Sequence, residues 1–225
     1  MQGWQPMLWE IENTNCRLLG SMHNFPADRE FPKWVAASFD GVQRLVFEAD
    51  IRADAGMAAG YDPTKAHLKF YGAPELYQRA EKLLAGIKAN VVIDVFRPWK
   101  AAGIFQLSFI ENWGYLMVNG VDQRLRKIAE EKGLQVDFFE PITHSPKLHD
   151  ISCKPFQGGL AFFRRSILEI KSGKGQAHMQ RMFEAWLAND LAVMAAVQAE
   201  ELAESPYIVN VQLQRNREWV AVAKN

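Results

Sequence analysis

The spacing of apolar positions changes period several times along the chain, and each change marks an element. Met7-Leu8-Trp9-Glu10-Ile11 and Cys16-Arg17-Leu18-Leu19 flank the turn-rich Asn13-Thr14-Asn15, a pattern that predicts a β-hairpin. A short helix is expected over Pro32 to Phe39, with the proline in the first turn, where its missing N–H matters least. Arg44-Leu45-Val46-Phe47-Glu48 then has the continuous apolar character of a buried strand. Strand, helix, strand at this spacing favours a right-handed crossover with residues 16–19 and 44–48 as parallel neighbours.

The middle of the chain switches to helical period. Leu76, Ala80, Leu83, Leu84 and Ile87 share one face of a helix opened by Pro74 and Glu75. A second helix is expected from about Pro98 to Trp113, apolar nearly all round. Val121, Leu125, Ile128 and Ala129 mark a third, closed by Gly133. Leu134 to Phe139 alternates like a strand and stops at Glu140-Pro141, where the proline imposes an extended conformation on Glu140. From Phe156 onward the pattern is helical. Met179, Met182, Phe183, Trp186 and Leu187 form its cleanest apolar stripe, read as core or interface. An Ala- and Glu-rich stretch covers 190–203, and Pro206 opens a last helix. Residues 51–66 and 141–155 read as long loops. The predicted fold is α/β in a single domain: a small, mixed, partly parallel sheet surrounded by helices, the central helical stretch forming a lid-like region.

Composition narrows the classes of function. The 225 residues carry 26 Lys plus Arg against 26 Asp plus Glu, so there is no net positive charge to attract nucleic acid. Arg164-Arg165 and Arg124, Arg126 and Lys127 read as solvated helix faces. Two cysteines, Cys16 and Cys153, make neither a disulfide scaffold nor a four-cysteine zinc site. No stretch is apolar for long enough to span a membrane, and the first residues have no signal-peptide pattern, so a cytoplasmic protein is expected. There is no phosphate-binding Gly-Lys-Ser/Thr loop, GxGxxG, HExxH, GxSxG or CxxC.

Against those absences stand Gly20-Ser21-Met22-His23, directly after one predicted strand, and Glu48 at the end of the next. Were those strands neighbours, His23 and Glu48 would meet at the carboxyl edge of the sheet, where open α/β folds bind ligands. A carboxylate there orients an imidazole as a general base toward water, or both side chains ligate a divalent metal. The plain alternative is a polar rim residue and a helix-capping histidine. Arg215, on the last helix, either pairs with a buried carboxylate, for which Glu140 is the natural partner, or reaches a substrate oxyanion. Trp99 either packs beneath the cleft or contacts an apolar substrate. His67 and His178 read as surface residues.

Six short motifs in order give these residues a context. Leu18-Leu19-Gly20-Ser21-Met22-His23 resembles the GxxH motif of the TraB/PrgY/GumN family, which includes the Tiki metalloproteases and is distantly related to erythromycin esterases and ChaN-like proteins. Leu45 to Asp50 is similar to that family's strand-ending Glu motif. Arg97-Pro98-Trp99, Gly120-Val121-Asp122 and Phe138-Phe139-Glu140 follow, and Gln214-Arg215-Asn216-Arg217-Glu218-Trp219 resembles its RNxxW. The resemblance implies His23 and Glu48 as active-site residues, with Glu140 and Arg215 lining the same cleft and Asn216 supporting them. It also implies a divalent cation such as manganese, cobalt or zinc at His23 and Glu48. The sequence departs from the family pattern in lacking a second GxxH after RNxxW; no histidine follows His178. His144 or His149 is the weaker substitute. The expected activity is hydrolysis of a peptide or ester bond, metal-assisted or by a His/Glu general base. The alternative is a degenerate protein that sequesters a peptide or small molecule. A homo-oligomer is left open.

Overall fold

The computed structural model describes residues 7–49, 74–140, 157–204 and 206–223. The loops expected at 51–66 and 141–155 lie outside the described residues, as do His67, His144, His149 and Cys153. The elements are short strands and longer helices in one mixed α/β order. They are β1 (Leu8–Glu10), β2 (Arg17–Leu19), β3 (Phe25–Pro26), α1 (Lys33–Ala37), β4 (Arg44–Ala49), α2 (Pro74–Gly86), α3 (Pro98–Asn112) and β5 (Tyr115–Leu116). After a 3-10 turn at Met117–Asn119 come α4 (Val121–Lys132), β6 (Gln135–Glu140), α5 (Gln157–Ser172), α6 (Lys174–Ala188), α7 (Leu191–Glu204) and α8 (Pro206–Ala223).

The hairpin is as expected: β1 and β2 pair antiparallel, Leu8 opposite Leu19, around a turn in which Asn13 takes a positive φ of 61°. The predicted β2–β4 neighbourhood is not found. β2 is taken up by β1, and β4 pairs in parallel with β6, from Arg44 opposite Gln135 to Ala49 opposite Glu140. The reason is one of length and pattern. A three-residue strand completed by its own hairpin leaves the six-residue β4 to the six-residue β6, which matches it end to end. The chain crosses between them through α2, α3 and α4, which suits the long connection a parallel pair requires. Residues 25–26 and 115–116 form a small antiparallel pair that the apolar pattern gave no sign of. At two residues each, they are too short to show a period.

Helix ends follow local chemistry. α4 stops where Gly133 turns left-handed at φ 65°, its N–H reaching back to the carbonyls of Ala129 and Glu130. α6 stops at Asn189, also left-handed at φ 58°. The buried side chains form two clusters. In one, α2, α3 and α5 pack around Phe105, with Phe109 and Phe163 at 5.1 and 5.7 Å between ring centroids. Two of its helices, α2 and α3, come from the central stretch expected to be lid-like; α5 lies beyond that stretch, and α4, the third central helix, packs in the other cluster. The other cluster joins Met7, Met22 and Phe25 to Val121 of α4 and to Met179, Phe183 and Trp186 of α6. The apolar stripe on α6 is therefore core, as predicted.

Not all basic helix residues are solvated as expected. Arg126 is buried, and Arg124 donates to the backbone carbonyls of Arg29 and Pro26 while its guanidinium lies over Phe25 and Phe31. Planar guanidinium groups bury readily against aromatic rings. No described helix is long and apolar enough to cross a membrane.

Phe105 has no exposed surface. Phe105→Ala should therefore lower unfolding free energy by about 3–5 kcal/mol, read as a reduced urea midpoint with an unchanged m-value.

Candidate active site

The site begins where β2 ends. Gly20 donates its N–H to the Met7 carbonyl at 2.9 Å, and the Gly20 carbonyl accepts Nε1–H of Trp186 at 2.8 Å. The Val121 N–H, in the first turn of α4, donates to the Met22 carbonyl at 2.8 Å. The segment between β2 and His23 is thus fixed by the hairpin, by α6 and by α4. His23 emerges from it with a side chain 58% exposed.

Its imidazole sits between two carboxylates. Nδ1 lies 2.7 Å from Oδ2 of Asp122, and Nε2 lies 4.0 Å from Oε2 of Glu48. Glu48 is the fifth residue of β4, so the carboxylate stands at the carboxyl end of the parallel pair. The same Oε2 accepts a hydrogen bond from Nη2 of Arg215 at 3.1 Å. Arg215 also donates from Nε and Nη2 to Oε1 of Glu140, at 3.1 and 2.9 Å. Glu140 closes β6, and its side chain is 4% exposed. One turn along α8, Trp219 donates Nε1–H to the other Glu140 oxygen at 2.9 Å, lies 4.5 Å beneath the Arg215 guanidinium and stacks on Phe139. Asp122, His23, Glu48, Arg215 and Glu140 therefore form one line of charged groups, most open at His23 and most buried at Glu140.

The charges act on one another in a definite direction. The hydrogen bond to Asp122 raises the His23 pKa above its ordinary value; burial opposes this, the negative charges of Asp122 and Glu48 add to it, and Arg215 subtracts. For Asp122, burial pushes the pKa up. The His23 hydrogen bond and charge, the Ser21 side chain and the Asp122 backbone N–H together outweigh it and leave the carboxyl below its usual range.

The structure brings His23, Glu48, Arg215 and Glu140 together although the strand pairing behind that expectation differs. Asn216 is exposed on α8 beside Arg215. Trp99 is buried in the first turn of α3 and is not part of the line of charged groups. Asp122 was not singled out as a site residue. The signal available was its place in Gly120-Val121-Asp122, ahead of a helix.

The divalent cation implied by the resemblance would be held by His23 and Glu48. A catalytic zinc takes three protein ligands, and among the described residues no group of three or more His, Cys, Asp or Glu is placed to hold a metal ion. The guanidinium of Arg215 also occupies the Glu48 oxygen that would face the ion. The described residues by themselves do not fit a metal site. They fit an imidazole held for proton transfer.

Removing one partner from a largely buried charge cluster leaves the others uncompensated. Arg215→Met should destabilise the fold by about 3–5 kcal/mol in urea titration, with Arg215→Lys intermediate because an ammonium cannot fork across two carboxylates. The His23–Asp122 pair predicts a pH window. The Asp122 contribution is present above about pH 3.9 and lost as pH falls through its lowered folded value; the His23 contribution is present below about pH 6.5 and lost as pH rises through its raised folded value. The stability advantage of the wild type over Asp122→Asn should be widest between those limits and narrow on both sides, measured by thermal melts across pH.

No curated protein and no solved structure matches this chain. The sequence model of the TraB/PrgY/gumN family does match, over residues 7–225. Nearly the whole sequence, including the GxxH turn, both strand-ending glutamates and the arginine helix, lies inside that match, and the chain belongs to the TraB/PrgY/gumN family.

Proposed function

We propose that this chain hydrolyses a peptide or ester bond, with His23 as general base toward water. The observation that carries the proposal is the gap between His23 Nε2 and Glu48 Oε2. At 4.0 Å it is too long for a direct hydrogen bond and short enough for one water to touch both groups. The His23 ring is exposed enough for a substrate to approach.

Glu48, held in place by its hydrogen bond from Arg215, accepts one hydrogen of that water and aims its oxygen lone pair outward. Nε2 takes the other proton as the water oxygen bonds to the substrate carbonyl carbon, and the carbonyl π pair moves onto oxygen. The bonds described for Arg215 use Nε and Nη2, which leaves Nη1 as the donor to the developing oxyanion. When the intermediate collapses, the pair of the scissile bond goes to the leaving group, which takes the proton from Nε2. His23 returns neutral. The Asp122 carboxylate steadies the imidazolium formed in between. No metal enters these steps.

A second reading has a specific support. Arg215 already faces two carboxylates, so its charge is largely neutralised, and a site that binds a peptide or small molecule without cleaving it needs no more than that.

The test is a panel of chromogenic esters and short peptides offered to purified wild type, His23→Ala and Glu48→Gln. Wild type should turn over at least one member. His23→Ala should lower kcat/KM by roughly 10²–10⁴-fold, the usual contribution of a general base, with an unchanged near-ultraviolet circular dichroism spectrum. Equal turnover by His23→Ala would overturn the proposal. Saturable binding with no turnover by wild type would favour the second reading.

A further inference from the structure

The amino end of α4 has a relation to His23 that the hydrolytic scheme does not by itself require. Three consecutive residues there touch it or its neighbour. Val121 binds the Met22 carbonyl through its backbone N–H, and Asp122 binds Nδ1 through its side chain. Gly120 lies directly against the His23 backbone: a Cβ at Gly120 would fall 2.1 Å from the His23 carbonyl oxygen and 2.7 Å from its carbonyl carbon. The backbone of Gly120, at φ −53° and ψ 154°, is open to any residue, so the requirement for glycine is one of space alone. Nearly 100 positions of sequence separate the two segments, and the missing side chain is what lets them close to hydrogen-bond distance.

We propose that Gly120-Val121-Asp122 is a positioning device that sets the tautomer of His23, Asp122 holding the proton on Nδ1 so that Nε2 presents its lone pair toward Glu48. An ionised carboxylate has only lone pairs to offer, so at 2.7 Å the proton shared with it must come from Nδ1. The Asp122 side chain is only 15% exposed, which limits the positions its carboxylate can take. The acid also stands in the first turn of a helix, where negative charge is favoured. Asp122 is therefore a positioning residue rather than a catalytic one: it acts on the reaction through the ring. The meaning for catalysis rests on the hydrolytic reading above; the tautomer itself does not.

The experiment is long-range 1H–15N spectroscopy of 15N-imidazole-labelled protein at alkaline pH with chelator present. The His23 signals are identified by their loss in His23→Gln. Wild type should show a protonated Nδ1 and an unprotonated Nε2. Asp122→Ala should lose that signature, and Asp122→Asn should restore it, because an amide oxygen still accepts from Nδ1. Gly120→Ala should lose it too; if that variant does not fold, the Asp122 pair decides alone. Wild type carrying its proton on Nε2, or Asp122→Ala retaining the wild-type signature, would overturn the proposal. With a substrate in hand, Asp122→Ala should lower kcat more than it changes KM. A wild type that shows the expected tautomer but hydrolyses nothing supports the positioning device and removes the hydrolytic reading, so the two fail separately.

Discussion

Two carboxylates end neighbouring parallel strands, and a single guanidinium holds them together. Glu140 lies opposite Ala49 in the ladder, so Glu48 and Glu140 are one step out of register. Strict alternation along a strand would send their side chains to opposite faces. Arg215 reaches both at the strand ends, because its planar fork addresses two oxygens in different directions at once. That contact anchors α8 to the sheet, with Trp219 closing over the guanidinium and the buried carboxylate from the same helical face. It also determines where Glu48 stands relative to His23. A two-stranded parallel sheet has little stability alone, and the charged clamp at its carboxyl edge is what makes that edge a fixed platform.

From this platform the site grades outward from rigid to accessible. Glu140 is almost wholly enclosed, Arg215 and Asp122 mostly so, Glu48 about a third open, and His23 faces solvent. The order matters for chemistry. Groups whose task is to stay charged and still are inside, where their partners are fixed and water does not screen them. The group whose task is to exchange a proton is outside, where a substrate can meet it. The backbone bonds at Gly20 and Met22 prevent that exposure from becoming disorder, because the turn that carries the ring is held by three other elements.

Much of this was legible in the sequence, and the parts that were not share one cause. The Asn13 turn, the strand ending in Glu48, the Pro98 and Val121 helix starts, the Gly133 stop and the α6 stripe are all local: period, cap and turn chemistry within a few residues specify them. The pairing of β4 with β6 rather than β2 is not local. Residues 16–19 and 135–140 are equally plausible partners by apolar character, and only strand length and the prior claim of the hairpin decide between them. The contacts of Asp122 with His23 and of Arg215 with Glu48 and Glu140 span 99, 167 and 75 positions. No period reports such distances; family motifs pointed to the residues without saying which touches which. The covering of Arg124 and Arg126 is illegible for a related reason: a charged residue at a helix surface gives no local sign that an aromatic ring from elsewhere will cover it.

The anchorage of the amino-terminal segment has a bearing on how the protein is made. The Met7 N–H is bonded to Asn189 and the Gly20 carbonyl to Trp186, residues 182 and 166 positions downstream. A ribosome releases the hairpin and the GxxH turn early, long before α6 exists to receive them. Until then the Met7, Met22 and Phe25 side chains have no α6 surface to cover them, and such exposed apolar segments are what chaperones bind and what aggregates in their absence. Completion of the site thus waits on residues made long after the GxxH turn: Trp186 and Asn189 to seat the turn, then Arg215 to hold Glu48.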